Sequence, residues 1–211
     1  MKRKMIIFDL DGVLLDSVAV TEQYLMDRYE GMTKELQKEI LCGNFHEELK
    51  NITLPKKIKT EEEAEARKAL HTENKLKSLL YEGAKELLTE LHKEGYIIAL
   101  NTSAYIKNSV PMLELAGVAS LFDFFGTAEI SKSKVEKFKI MQEKYGLGTT
   151  EALFVTDTLG DIREADEAKI PTVAVTWGAH DRSYFIREEH KNVIGIADTF
   201  MELKEIINRG Q

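Results

Sequence analysis

The sequence holds a single cysteine, Cys42, among 211 residues. One thiol allows no intrachain disulfide and no thiolate zinc cluster, so a reducing, cytoplasmic setting is expected. A basic excess is missing too: 36 Asp and Glu outnumber 29 Lys and Arg, for a formal net charge of −7. That balance argues against a nucleic-acid partner, which a basic stripe would serve. No apolar run approaches the roughly 20 residues of a membrane span. The short one after Met1-Lys2-Arg3-Lys4 is cut off by Asp9 and Asp11, too soon for a signal segment. Histidines stand at 46, 71, 92, 180 and 190 without metal-ligand spacing. No Gly-x-Gly-x-x-Gly follows the first apolar run, which leaves a nicotinamide-binding domain unsupported. Repeats and low-complexity tracts are absent as well.

What is present suits a packed α/β protein. Hydrophobic residues make up 43% and charged residues 31%, enough apolar surface for a core. The length fits one α/β domain with an insertion, or two small domains. Met5 to Phe8, Tyr96 to Leu100, Ala152 to Val155 and Thr172 to Val175 are almost continuously apolar, as central strands of a parallel sheet are. Phe122 to Phe125 adds a strand and Val193-Ile194 a short edge. Between them, Ala84 to Glu94, Val135 to Tyr145 and Asp198 to Asn208 repeat apolar residues at helical spacing, with Gly95 and Gly146 as stops. The alternation predicts a doubly wound, Rossmann-like parallel sheet. Residues 17–81 break it: Val18 to Tyr29, Lys34 to Leu41 and Glu61 to Leu80 read as helices. The spacing therefore predicts a core of residues 1–16 and 82–211 and an inserted all-helical cap of residues 17–81.

Chemistry gathers where strands end. Asp9 and Asp11 follow the first strand at i and i+2, a spacing that turns both side chains to one side of an extended chain. Asp157 follows the strand ending at Val155, and Asp161 lies four residues on, past Gly160. Ligands of open α/β sheets bind beyond the carboxyl ends of the strands. Each aspartate alone reads as a turn former or helix cap. Four together repel unless a cation sits among them, and an all-oxygen, histidine-free set suits Mg²⁺.

Asp9-Leu10-Asp11-Gly12-Val13-Leu14-Leu15-Asp16-Ser17 resembles the first motif of the haloacid dehalogenase (HAD) superfamily. The other motifs stand in order: Ile97 to Ser103 resembles the second, with Thr102 as its hydroxyl residue. Lys134, with Lys132 as the alternative, resembles the third, and Phe154 to Asp161 the fourth. The chain departs from the pattern at Thr156, where Gly is usual, and at Ser103, where Asn commonly stands. The branch resembled is that of phosphoglycolate phosphatase and β-phosphoglucomutase. The resemblance implies a Mg²⁺-dependent phosphatase acting on a small phosphorylated metabolite, with Asp9 as nucleophile and Asp11 as general acid and base. It implies metal ligation by Asp9, the Asp11 carbonyl and Asp157, with Asp161 ligating directly or through water. Thr102, Ser103, the lysine and the main-chain N–H groups of Leu10 to Gly12 would bind the phosphoryl group. A phosphomutase on the same core and a catalytically silent binding module are the alternatives, and oligomeric state is left open.

Asp16 and Ser17 read as a helix start at the hinge into the cap. His46 and the cluster Lys56, Lys57 and Lys59 are candidates for reaching or steering a phosphorylated substrate, and Trp177 for lining the crevice.

Overall fold

The computed structural model describes residues 3–209; Met1 and Lys2 of the basic opening stretch lie outside them. The apolar runs form six parallel strands, β1 (Met5–Phe8), β2 (Ile97–Asn101), β3 (Phe124–Gly126), β4 (Ala152–Thr156), β5 (Thr172–Val175) and β6 (Val193–Ala197). Their order across the sheet is β3-β2-β1-β4-β5-β6. The order reverses beside β1, so a crevice opens at the carboxyl ends of β1 and β4. Register aligns the two ends: Phe8 pairs with Val155 on one side and with Leu100 on the other. The residues that follow, Asp9, Thr156-Asp157 and Asn101-Thr102, therefore emerge side by side.

The helices in chain order are α1 (Val18–Arg28), α2 (Lys34–Ile40), α3 (Phe45–Asn51), α4 (Glu61–Lys75), α5 (Ala84–Lys93), α6 (Val110–Leu115), α7 (Lys134–Tyr145), α8 (Leu159–Ala168), α9 (Arg182–Phe185) and α10 (Phe200–Asn208). Period-two alternation splits the sheet's side chains between two faces. Ile6, Phe8, Ile98, Leu100 and Val155 pack with Leu87, Leu88 and Leu91 of α5. Met5, Ile7, Ala99 and Phe154 pack with Phe138 and Met141 of α7. With both faces covered, the central strands carry no polar face, which is why they read as unbroken apolar runs.

Helices α1–α3 gather a separate small core of Leu25, Tyr29, Met32 and Ile40, with Phe45 and Leu49 against it. This block carries a bridge between Tyr29 and Lys56. Helix α4 opens with a capping box, Thr60 and Glu63, and its first-turn glutamates face the positive end of the helix dipole. It stops at Lys75, short of the expected Leu80, because the chain beyond it pairs with the segment after β1. Asp16 N–H donates to Leu79 O and Tyr81 N–H to Leu14 O, both at 2.9 Å. Among the described residues no helix is long and apolar enough to cross a membrane.

Candidate active site at the mouth of the sheet

Asp9 leaves β1 with its N–H donated to Val155 O at 2.9 Å, which carries its carboxylate to the sheet's mouth. It is 8% exposed. Lys134, the first residue of α7, is buried and places Nζ 3.1 Å from Asp9 Oδ2 and in contact with Asp161 Oδ2. The Thr156 hydroxyl donates to the same Asp161 oxygen at 2.7 Å. Lys132 is exposed instead, so of the two candidate lysines only Lys134 reaches the aspartates. Asp157 is buried and accepts the Ala179 N–H on Oδ2 at 2.8 Å. The second oxygens, Asp9 Oδ1 and Asp157 Oδ1, are buried without any hydrogen-bond partner.

Electrostatics follow from this burial. Desolvation, reinforced by Asp161 and Asp11 against the opposing Lys134, pushes the Asp9 carboxyl up to about 7. Burial and the charge of Asp9 hold Asp157 well above the usual carboxylate range. Burial alone would lower the Lys134 ammonium, but Asp161 and Asp9 outweigh it and raise it above the ordinary lysine value. Two raised carboxyls with an orphaned oxygen each mark a place that lacks positive charge. Among the described residues no three His, Cys, Asp or Glu side chains form a complete metal cage. The two orphaned carboxylate oxygens are donors of the kind a hard divalent cation takes.

Asp11 projects toward the helical block. Its Oδ2 accepts Lys75 Nζ, from the end of α4, at 2.6 Å, and its Oδ1 accepts the Ser17 hydroxyl. Ser17 stands at the start of α1 but makes no side-chain cap; its hydroxyl is spent on Asp11. Gly12 corrects the expectation of a free phosphate donor, because its N–H closes a turn on Leu15 O at 3.0 Å. Its glycine is required by conformation and space: φ is +76°, and a Cβ would lie 1.9 Å from Asp157 Oδ2. Leu10 N–H hydrogen-bonds the Asp9 carboxylate. The Thr102 hydroxyl accepts Ala104 N–H at 3.1 Å, which leaves its own proton to donate. Ser103 is half-buried next to it.

Residues that the sequence did not single out complete the site. Lys137, one turn after Lys134, is fully buried and donates to Thr102 O at 2.6 Å. Burial, with Lys134 nearby, pushes it down to about 8. Glu164 accepts the Lys134 N–H at 2.8 Å and the Asn44 side-chain amide at 3.1 Å, joining α7 and α8 to the turn before α3. His180 is buried; Nδ1 accepts Leu159 N–H at 3.0 Å, so Nε2 carries the proton and donates to Lys38 O at 2.8 Å. His46, which the sequence did offer as a candidate, donates Nε2–H to Ser103 O at 3.1 Å, tying α3 to the turn after β2. Both imidazoles are lowered by burial. Lys134, Lys137 and Met141 at i, i+3 and i+7 continue the buried stripe of α7, a signal that could have found Lys137. Lys75 and Asp11 are 64 residues apart, and no local pattern joins them.

Two candidates fall elsewhere. Trp177 donates Nε1–H to Val13 O at 3.1 Å and stacks on Phe200 at 4.5 Å, a packing role behind the loop after β1. Lys56, Lys57 and Lys59 are exposed, and Lys57 Nζ is bound to Met26 O at 2.8 Å.

Residues 6–175 match the family described as haloacid dehalogenase-like hydrolase. The chain is 30% identical over 223 residues to a phosphoglycolate phosphatase of Vibrio vulnificus, covering 97% of this chain and 96% of the relative. It is 31% identical over 193 residues to that of Vibrio cholerae, covering 83% and 85%. A haloacid dehalogenase-like hydrolase from Streptococcus pneumoniae shares the fold at a TM-score of 0.72 and 20% identity, over 96% of this chain and 97% of that one. CbbY from Rhodobacter sphaeroides, solved with phosphate, does so at 0.73 and 18%, over 95% and 96%. The chain belongs to the haloacid dehalogenase-like hydrolase family. Within that family it is a phosphatase, similar to the phosphoglycolate phosphatases.

Proposed function

We propose that the protein hydrolyses a small phosphomonoester through an aspartyl-phosphate on Asp9, with Mg²⁺ as cofactor. One observation carries the reading: Asp9 and Asp157 each bury a carboxylate oxygen with no partner, beside a buried lysine at the open end of the sheet. Asp9, Asp157 and the Asp11 carbonyl would hold the cation, which when bound shields phosphate charge and returns Asp9 to its carboxylate form. Asp161 is engaged by Lys134 and Thr156. It orients the lysine, and any contact it makes with the cation would run through water.

Asp9 then attacks phosphorus while Asp11, which must enter this step protonated, gives its proton to the departing alkoxide and becomes the carboxylate. Asp11 next takes a proton from the water that opens the aspartyl-phosphate. Ser17 and Lys75 hold the Asp11 carboxylate in the orientation that this second step needs. The Thr102 hydroxyl, with Ser103 beside it, and the Lys134 ammonium stabilise charge on the equatorial oxygens. Residues 17–81 act as a cap on a core of residues 1–16 and 82–211, excluding water while the first bond forms. The cytoplasmic setting inferred from the lone Cys42 is part of this reading.

Phosphate release from a panel of phosphomonoesters, with and without Mg²⁺, tests it. Turnover that needs Mg²⁺ and disappears in both Asp9→Asn and Asp11→Asn is expected. Turnover that survives Asp9→Asn removes Asp9 from the mechanism.

A further inference from the structure

Helix α1 presents Val18, Thr21, Glu22 and Leu25 to a small cavity whose core side is Asp11 and Asp157. The spacing i, i+3, i+4 and i+7 makes this one face of the helix. The cavity measures roughly 70 Å³ and, lying against Asp11, is where the alcohol of the ester would sit on the phosphatase reading. Its charges are unbalanced. Glu22 has a largely buried side chain, 15% exposed, while its ion-pair partner Lys34, at 2.8 Å, is 61% exposed. The carboxylate thus belongs to the cavity wall and its counter-ion to solvent, where screening is strong. Gln37, also on the wall, donates to Glu22 O at 3.1 Å and fixes that turn of α1 against α2.

One cation lines the cavity, Lys38, and its ammonium is turned outward. Nζ lies 3.9 Å from Asp181 and 5.9 Å from the centre of the Tyr184 ring, neither of which lines the space. Lys75, which reaches Asp11, is already paired with it at 2.6 Å. With Asp11 paired to Lys75 and Asp157 assigned to the cation, a leaving group that carries its own carboxylate would meet Glu22 across the cavity and find no uncommitted ammonium to receive it. A hydroxyl-bearing one would find acceptors at Glu22 and Thr21.

Resting on the phosphatase reading above, we propose that Glu22 makes this protein select phosphomonoesters of small uncharged polyols and reject those of hydroxy acids. Its specificity then differs from what the names of its phosphoglycolate phosphatase relatives suggest. The repulsion is electrostatic, so the exposed Lys34 tempers it and the two residues act with opposite sign.

The test compares kcat/KM for glycerol 3-phosphate and 2-phosphoglycolate in the wild type, Glu22→Gln and Lys34→Met, all with Mg²⁺. The wild type should favour glycerol 3-phosphate by about tenfold or more, since like charges a few ångströms apart near a protein surface repel by at least that interval. Glu22→Gln should lower the ratio and Lys34→Met, at an exposed position, should raise it. A purely structural role would not move the ratio in opposite directions. Wild-type preference for 2-phosphoglycolate, or a ratio that both variants leave unchanged, overturns the proposal and leaves the phosphatase reading standing. Absence of release from both esters overturns the two together.

Discussion

Gly160→Ala tests the proposed seating of the α1–α4 block, as a cap, on α8. Gly160 is the second residue of α8, and its N–H donates to Leu41 O at 2.9 Å. A Cβ there would lie 2.2 Å from Gly43 O, 2.8 Å from its carbonyl carbon and 2.9 Å from Leu41 O. All three are main-chain atoms, so no rotamer relieves the clash. Carbon and carbonyl oxygen need about 3.3 Å, so residues 41–43 must retreat by about 1 Å. That retreat breaks the Leu41 bond, worth about 1 kcal/mol. It also loosens Arg163 Nη1 on Cys42 O and His180 on Lys38 O. Within α8 the methyl group is favourable, by up to about 1 kcal/mol over glycine. That gain offsets only part of the loss, so Tm should fall by a few degrees while the core stays folded. A displacement of 1 Å over the reacting groups can cost up to about a hundredfold in rate. We therefore expect kcat/KM to fall by one to two decades, well beyond what a Tm lowered by a few degrees explains at about 25 °C, read from steady-state phosphate release and calorimetry. An unchanged kcat/KM beside an unchanged Tm would refute the claim that the cap works while seated on α8.

Other perturbations probe the carboxylates and lysines. Asp9 is raised from 3.8 to about 7 by burial, so its contribution to stability is present below the unfolded value and is lost as pH rises through 7. Mg²⁺ needs the carboxylate, so its stabilisation should be larger at pH 8 than at pH 5, about 2.7 kcal/mol at a hundredfold excess over Kd. Equal Tm shifts at the two values would contradict this. Lys137, lowered from 10.5 to about 8, makes the unfolded state bind more protons between those values. Wild-type stability should therefore rise with pH over that window relative to Lys137→Met; parallel denaturation curves would show that the ammonium is not buried unpaired. Lys75→Met removes a charge-assisted bond worth about 1.5–3 kcal/mol from Asp11, so kcat should fall by about tenfold or more, with Lys75→Arg partly restoring it. An unaltered kcat would remove Lys75 from the site. Leu88→Ala, in the contact between α5 and the sheet, should cost about 2–5 kcal/mol in urea unfolding.

The sheet was legible because its central strands are buried on both faces and therefore lack polar residues. Asp9 and Asp157 were legible because they interrupt such runs at their carboxyl ends. Choosing between Lys132 and Lys134 needed the helix start, where Ser133 caps Glu136 N–H and turns Lys134 inward. Gly12 was named for its N–H, which is closed on Leu15; what the structure shows is that space beside Asp157 and a positive φ require a glycine there. The end of α4 was misplaced because pairing of Leu79 and Tyr81 with Asp16 and Leu14, a tertiary effect, overrides helical periodicity beyond Lys75. Ser17 looked like a helix cap, and its hydroxyl serves Asp11 instead. Pairs such as Lys75 with Asp11 or His180 with Lys38 join distant segments, and their chemistry has no local pattern to reveal it.

The central claim is that phosphate passes through Asp9. Mixing the Mg²⁺-loaded enzyme with a turned-over phosphomonoester, quenching in acid within milliseconds and mapping the peptides by mass tests it most directly. The account predicts one phosphoryl group on the peptide that contains Asp9, absent from Asp9→Asn and longer-lived in Asp11→Asn. A phosphoryl group on another residue, or full turnover by Asp9→Asn, would contradict it.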